Sequence, residues 1–179
     1  LGNDSTAILS FDDITVSTGG NDSTAYFTPG LTGESSSIII SGQNSEFTTM
    51  GDRSAGIEVA SLPGDNSDAA LFFGNLTIET GGDGSTGILI GAPDAGSNNL
   101  AYELTLENTS VTTTGANAHA VQLSFASSSG TGSSFEATAQ LSATAAGAGS
   151  NALQVTGTGD LLPFMLSIEA GDVLSSADG

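Results

Sequence analysis

The sequence predicts an all-β chain folded as a parallel β-helix, a β-solenoid of about five three-stranded coils of about 32 residues each. Two observations carry that prediction. A small residue that follows a Gly/Asn/Asp/Ser turn and precedes an alternating apolar run recurs at Ala25, Gly56, Gly87, Ala120 and Ala152. The intervals are 31, 31, 33 and 32 residues, and a near-constant period of this size means stacked units, none able to bury its own apolar face. The apolar residues also fall in short β-branched or aromatic bursts, such as Ile38-Ile39-Ile40, Leu71-Phe72-Phe73, Ile88/Ile90 and Val121/Leu123/Phe125. They alternate at period two between turn residues, and glycine interrupts every window long enough for a helix.

Each unit holds three strands. Strand a includes ITVST (14–18), FTTM (47–50), LTIET (76–80), VTTT (111–114) and LSATA (141–145). Strand b is the run after each small residue. Strand c includes SIIIS (37–41), AALFF (69–73), LAYELTL (100–106), SFEATA (134–139) and FMLSI (164–168). Strand c passes into the next a through a two- or three-residue corner, whereas the b-to-c connection is longer and varies, as in LPGDNSD (62–68) and APDAGSNN (92–99). Three strands per turn without a crossover helix leave a parallel β-helix, its coils about 4.8 Å apart along the axis. The inward positions are Ile14, Val16, Phe47, Leu76, Ile78, Val111 and Leu141 on a. On b they are Ile57, Val59, Ile88, Ile90, Val121, Leu123, Leu153 and Val155.

The first strand is ambiguous. GNDSTA occurs at 2–7 and again at 20–25, which by identity makes Ile8-Leu9 a b strand. Its spacing to Ile14 makes it instead a c strand leading into a. Under either reading the chain is one solenoid segment over residues 1–179, cut through the repeat at both ends, with DVLSSADG (172–179) resembling a further strand a. Open strand edges of this kind invite pairing.

Composition sets the function classes. Arg53 is the single Lys or Arg against 20 acidic residues, and the net charge is −19. Nucleic-acid binding needs several basic side chains to release counterions, and anionic membranes repel such a chain. No apolar run approaches the roughly 18 residues of a membrane span. There is no cysteine, hence no disulfide and no thiolate metal site.

Turn-and-strand motifs such as TTTGANAHAVQL (112–123), STGGNDSTAYF (17–27), ETGGDGSTGILI (79–90) and MGDRSAGIEV (50–59) resemble the passenger domains of bacterial autotransporters. In that family a T-x-G-x-N-A-H-G/A-I/V turn recurs along a right-handed parallel β-helix. The resemblance implies a right-handed solenoid at the bacterial cell surface, an extracellular stalk or adhesin engaged in attachment or autoaggregation. It extends over the whole chain at the level of the repeat, and the C-terminal membrane barrel of that family has no counterpart in these residues.

No residue is assigned a catalytic, cofactor or metal role. Polysaccharide lyase chemistry needs basic residues, and Arg53 stands alone in a Gly-Asp-Arg-Ser turn. Glycoside hydrolysis needs two carboxylates about 5 to 10 Å apart, and the acids Asp12-Asp13, Asp65 and Asp68 read as scattered turn residues. His119, the single histidine, reads as a turn-facing residue before strand b. Oxygens at Asn21-Asp22, Asp65-Asn66-Ser67-Asp68, Asp83 and Asp160 suit at most weak calcium binding, since none forms a complete calcium nonapeptide. Outward hydroxyls on strand a (Thr15/Ser17, Thr48, Thr77, Thr112/Thr114, Ser142/Thr144) resemble the flat threonine arrays of ice-binding solenoids, interrupted by Met50 and Glu79. Four Asn-x-Ser/Thr sequons begin at Asn3, Asn21, Asn75 and Asn108.

The expectation is therefore a non-catalytic structural or adhesive β-helix, extracellular, whose partners are other copies of itself or surface glycans and proteins. Phe27 and Leu89 are its candidates for lateral contact. The alternative is a fibre or surface-layer subunit stacking end to end. Ice binding and a polysaccharide-active enzyme rank lower.

Overall fold

A computed structural model of the chain describes residues 3–29, 34–60, 65–91, 98–125, 134–157, 164–168 and 173–176. It is all-β and parallel throughout. Strand c of successive coils is β1 (Thr6–Asp12), β4 (Ser37–Gln43), β7 (Asp68–Gly74), the first part of β10 (Ala101–Thr113), the first part of β12 (Ser134–Ala145) and β14 (Phe164–Ile168). Strand a is β2 (Thr15–Thr18), β5 (Glu46–Thr49), β8 (Thr77–Thr80), the later parts of β10 and β12, and β15 (Val173–Ser176). These join into one sheet, and the b strands β3 (Tyr26–Thr28), β6 (Ala55–Val59), β9 (Thr86–Ile90), β11 (Val121–Phe125) and β13 (Leu153–Gly157) stack into a 5-stranded second sheet. Five b strands are four coil-to-coil steps apart, so the described stack makes about four turns rather than five full coils. Coil-to-coil hydrogen bonds span 31 residues through the first three coils, then 33, then 32.

Pairing resolves the first strand. Ala7 pairs with Ile38, Leu9 with Ile40 and Phe11 with Gly42, so β1 is a c strand. The repeated hexapeptide therefore precedes two different strand types, because both copies place an aspartate at positive φ, Asp4 at 55° and Asp22 at 56°. All three corners of the coil use this left-handed geometry in columns: Asp4, Ser35, Asn66 and Asn99 before c, and Asp13, Asn44, Asn75 and Asn108 between c and a. The third column, between a and b, is Asp22, Arg53, Gly84, Asn117 and Gly149. Short polar side chains and glycine tolerate this conformation best. The short corner between c and a holds in the first three coils, at 13–14, 44–45 and 75–76, whereas β10 and β12 run through it, with a register shift between Leu106 and Thr109 that sets two residues, Glu107 and Asn108, opposite Gln140 alone. The long b-to-c connections fall mainly outside the described residues.

The lumen is filled as the alternation predicts. Ile38, Ile40, Phe47, Ile57, Val59, Leu71, Leu76, Ile78, Ile88, Ile90, Val111, Val121, Leu123 and Leu141 are buried, and Ile14, Val16 and Leu153 pack against them from the outer coils. Val155 differs. It pairs with Leu123 and so belongs to the inward column, but it is 44% exposed because β13 pairs only with β11. The recurring small residue also finds its cause. A Cβ at Gly56 would run into Ile78 of the next coil, and one at Gly87 would run into Val111. One coil on, the column carries Ala120, where strand a carries Ala143 in place of Val111.

Candidate functional site

The polar residues of the repeat concentrate at the corner between strands a and b, which contains the T-x-G-x-N motif. Its glycine is a stacking residue. A Cβ at Gly51 would meet the carbonyl oxygen of Gly20, and Gly82, Gly115 and Gly147 stand in the same relation to Gly51, Gly82 and Gly115. Three residues on, a serine links coils: the Ser23 amide donates to Ser54 Oγ at 3.0 Å and the Ser54 amide to Ser85 Oγ at 3.1 Å. Ser54 Oγ and Ser85 Oγ in turn donate to the carbonyls of Gly20 and Gly51, at 3.2 and 2.9 Å. The motif threonine closes the corner where its hydroxyl reaches a carbonyl five residues on, Thr18 to Ser23 at 2.7 Å and Thr113 to Ala118 at 2.8 Å.

Of the residues that offered calcium ligands, Asn21, Asp65, Asn66, Ser67 and Asp83 serve the same ladder, and Asp52 joins them. Asn21 Oδ1 accepts from the Asp52 amide at 3.0 Å, Asp52 Oδ1 from the Asp83 amide at 3.1 Å, and Asp83 Oδ1 from the Ala116 amide at 2.8 Å. Asp65 likewise accepts from the Asn98 amide at 2.9 Å, Asn66 Oδ1 from Asn99 Nδ2 at 2.9 Å, and Ser67 Oγ from the Ser36 amide at 3.1 Å. Among the described residues no group of three or more His, Asp or Glu side chains is placed to hold a metal ion, and Asp160 lies outside them. Of the glycosidase candidates, Asp12 accepts from Asn44 Nδ2 at 2.9 Å and Asp13 occupies the left-handed corner at φ 52°. Sequon asparagines Asn75 and Asn108 are engaged through Nδ2, the atom a glycan would take, donating to Asn44 and Asn75.

Arg53 is paired. Its Nε and Nη2 each donate to the Asp22 carboxylate at 2.8 Å, one coil below. This hydrogen bonding holds the Asp22 carboxyl below its usual range and raises the guanidinium further, so Arg53 offers no base. His119 stands at the start of strand b, where Nδ1 accepts from the Asn151 amide at 3.1 Å, and partial burial lowers its pKa.

The outward faces are less regular than the sequence suggested. On strand a the columns run Thr15, Glu46, Thr77, Ser110, Ser142 and Ser17, Thr48, Glu79, Thr112, Thr144. Glutamates thus interrupt both, Glu46 as well as Glu79. On strand b the column Phe27, Glu58, Leu89 sets a carboxylate between the two apolar candidates. Phe27 is well exposed and Leu89 half-buried, so they form no continuous patch.

Sequence reasoning placed function on the b and c faces and the open ends but missed the cavity on c. There a cavity of about 290 Å³ opens among Asp68, Ala70, Ala101, Glu103, Ser134 and Glu136. Glu103 and Glu136 are in register on adjacent coils, a like-charge pairing that disfavours the sheet. The signal available was the small pair Ala69-Ala70 beside Ala101, meaningful only once these strands are known to be neighbours. Behind the cavity, Tyr102 turns inward to stack on Phe135 with ring centroids 4.6 Å apart, and burial drives its hydroxyl pKa well up.

Comparison with family models, with curated proteins and with solved structures finds no match in any of the three. Function rests on this geometry alone.

Proposed function

We propose that this chain is a non-catalytic structural and adhesive β-solenoid segment, extracellular and displayed at a bacterial cell surface in the manner of an autotransporter passenger. The observation that carries this reading is the use of the corner chemistry. Asp52, Asp65, Asp83, Ser54, Ser85 and Asn21 direct their side chains to amides and carbonyls of neighbouring coils rather than towards a common point. A stack knitted in this way is a stiff rod whose outward faces are free to vary. Adhesion would use the c face, where Asp68, Glu103 and Glu136 stand near exposed Phe72, with surface glycans or proteins, or further copies of the chain, as partners.

Self-association must overcome the net charge of −19. The Debye length is about 8 Å at physiological salt, so added salt strengthens association. Sedimentation from low to high salt, with and without calcium, tests this; a monomer throughout removes the homotypic part of the reading. Displaying the chain on a non-adherent bacterium tests the rest, and settling and attachment equal to the undisplayed control would overturn it.

A fibre subunit that stacks end to end is the second reading. Val155, Ile168 and Leu174, each 43–44% exposed, are the apolar surface that such stacking would cover. Filaments in electron micrographs would support it, and a monodisperse sample at all concentrations would exclude it.

A further inference from the structure

At the step from the fourth to the fifth coil a backbone amide is accepted by an imidazole nitrogen. Thr24, Ala55, Thr86, His119 and Asn151 form one column at the start of strand b, by the register of the paired b strands. In the second coil the Ala55 amide donates to Thr24 Oγ1 at 3.4 Å, while the carbonyl of Ser23 accepts from Thr18 Oγ1 at 2.7 Å. In the third coil the Thr86 amide reaches the carbonyl of Ser54 at 3.2 Å, and the hydroxyl of Thr49 is left without a partner. Two arrangements therefore occur, and Thr80 Oγ1, like that of Thr49, is left without a partner. Where the corner threonine takes the carbonyl, the next amide turns to a side chain in this column.

The fourth coil takes the first arrangement. Thr113 Oγ1 holds the Ala118 carbonyl at 2.8 Å, and the Asn151 amide donates to His119 Nδ1 at 3.1 Å. Asn151 Nδ2 lies 3.4 Å from the same nitrogen. A backbone amide only donates, so Nδ1 is bare and the ring proton is on Nε2. Protonation converts both ring nitrogens to donors, and the Asn151 amide then faces a cationic N–H. Thr24 presents no such liability, because a hydroxyl accepts at any pH.

Among the described residues no carboxylate is hydrogen-bonded to the imidazole. Strands β9, β11 and β13 carry no ionisable side chain. Among the described residues of the flanking corners the acid is Asp83, whose Oδ1 accepts from the Ala116 amide at 2.8 Å. Glu58, two coils below on the same sheet, accepts from Thr24 Oγ1 at 3.1 Å. β10, which feeds the corner, carries Glu103 and Glu107 nearer its other end, and β12 carries Glu136 likewise.

We propose that His119 makes the joint between the fourth and fifth coils acid-labile, so that mild acid loosens the stack at this step before the others. Partial burial lowers the imidazole pKa, in keeping with a site that holds the neutral ring. A folded-state value below the ordinary one means that the penalty begins as pH falls past about 6.5 and grows down through the folded value. The joint is thus closed at neutral pH and weakened at about pH 5. The inference rests on the joint itself and stands whether or not the chain is an adhesin.

Residue-resolved hydrogen exchange of the intact chain between pH 7.5 and 5.0, corrected for intrinsic exchange, tests it. Protection of the Asn151 amide falls about tenfold relative to that of Ala55, with the midpoint of the His119 ring titration. His119→Thr, which installs the acceptor found at Thr24, abolishes the pH dependence. Unchanged protection in the native chain, or an equal loss in the variant, would overturn the proposal. Should the variant fold poorly, ring nitrogen shifts of native His119 at pH 7.5 decide, because a proton on Nδ1 also overturns it.

Discussion

Ala118→Ser should stabilise the protein, by restoring a hydrogen bond that the fourth coil lacks. The serine ladder runs Ser23, Ser54, Ser85, and resumes at Ser150, which accepts from the Ala118 amide at 2.8 Å. At Ala118 no oxygen is available, and the Ser85 amide turns back to the carbonyl of its own corner, Gly82, at a long 3.3 Å. A serine at 118 would accept from the Ser85 amide and donate to the Gly82 carbonyl, as Ser54, Ser85 and Ser150 do to Gly20, Gly51 and Gly115. The site is fully buried, so the new hydroxyl must find both partners to be favourable. A net gain of about 1 kcal/mol is expected, since an intramolecular hydrogen bond contributes about 0.5–1.5 kcal/mol. For a chain of this size that raises Tm by about 3 °C. Thermal unfolding followed by circular dichroism reads the shift, and exchange of the Ser85 amide should slow in parallel. An unchanged or lowered Tm would refute the view that this column joins coils by accepting amides.

Gly82→Ala should collapse the stack, because its methyl would run into the Gly51 carbonyl, a backbone atom unable to rotate away. A loss of about 3 kcal/mol is expected, the upper part of the overpacking range. Gly19→Ala meets nothing within 4 Å and should change stability by under about 0.5 kcal/mol; urea unfolding of the two variants makes the comparison. Thr28→Val should stabilise by about 1 kcal/mol, since Thr28 Oγ1 is buried without a partner and its neighbour in the column is Val59. A lower urea midpoint for this variant would count against it. Arg53→Gln should leave Tm within about 1 °C, because the Asp22–Arg53 pair is solvent-screened. The Asp22 carboxyl, held low by Arg53, should titrate higher in the variant by carboxyl-carbon NMR. Whatever stability that pair contributes is present above the ordinary carboxylate pKa and fades as pH falls through the lowered one.

Much of the fold was legible because its determinant is local. Period-two alternation and a recurring turn locate Ile57/Val59, Ile88/Ile90 and Val121/Leu123 as inward pairs, and all six are buried. The candidate site was less legible. Calcium oxygens and glycosidase acids were read as turn residues, yet Asn21, Asp65 and Asp83 each cap an amide about one repeat away. No window shorter than a coil contains both partners. The acid-lined cavity on the c face was missed for the same reason, since Asp68, Glu103 and Glu136 meet only across coils.

By itself the sequence determined the repeat, the strands, the absence of a helical pattern and the inward set, because side-chain alternation and turn chemistry act within a few residues. Tertiary structure alone decided that the two GNDSTA segments precede different strands, since corners with the same left-handed geometry differ only in what pairs beyond them. It decided why Gly56 and Gly87 are small, through Ile78 and Val111 of the following coil. It also decided that Val155, inward by register, stands exposed on a strand paired on one side only. In a solenoid each coil is completed by its neighbours, so what a residue touches is settled about 32 residues away from where its type is written.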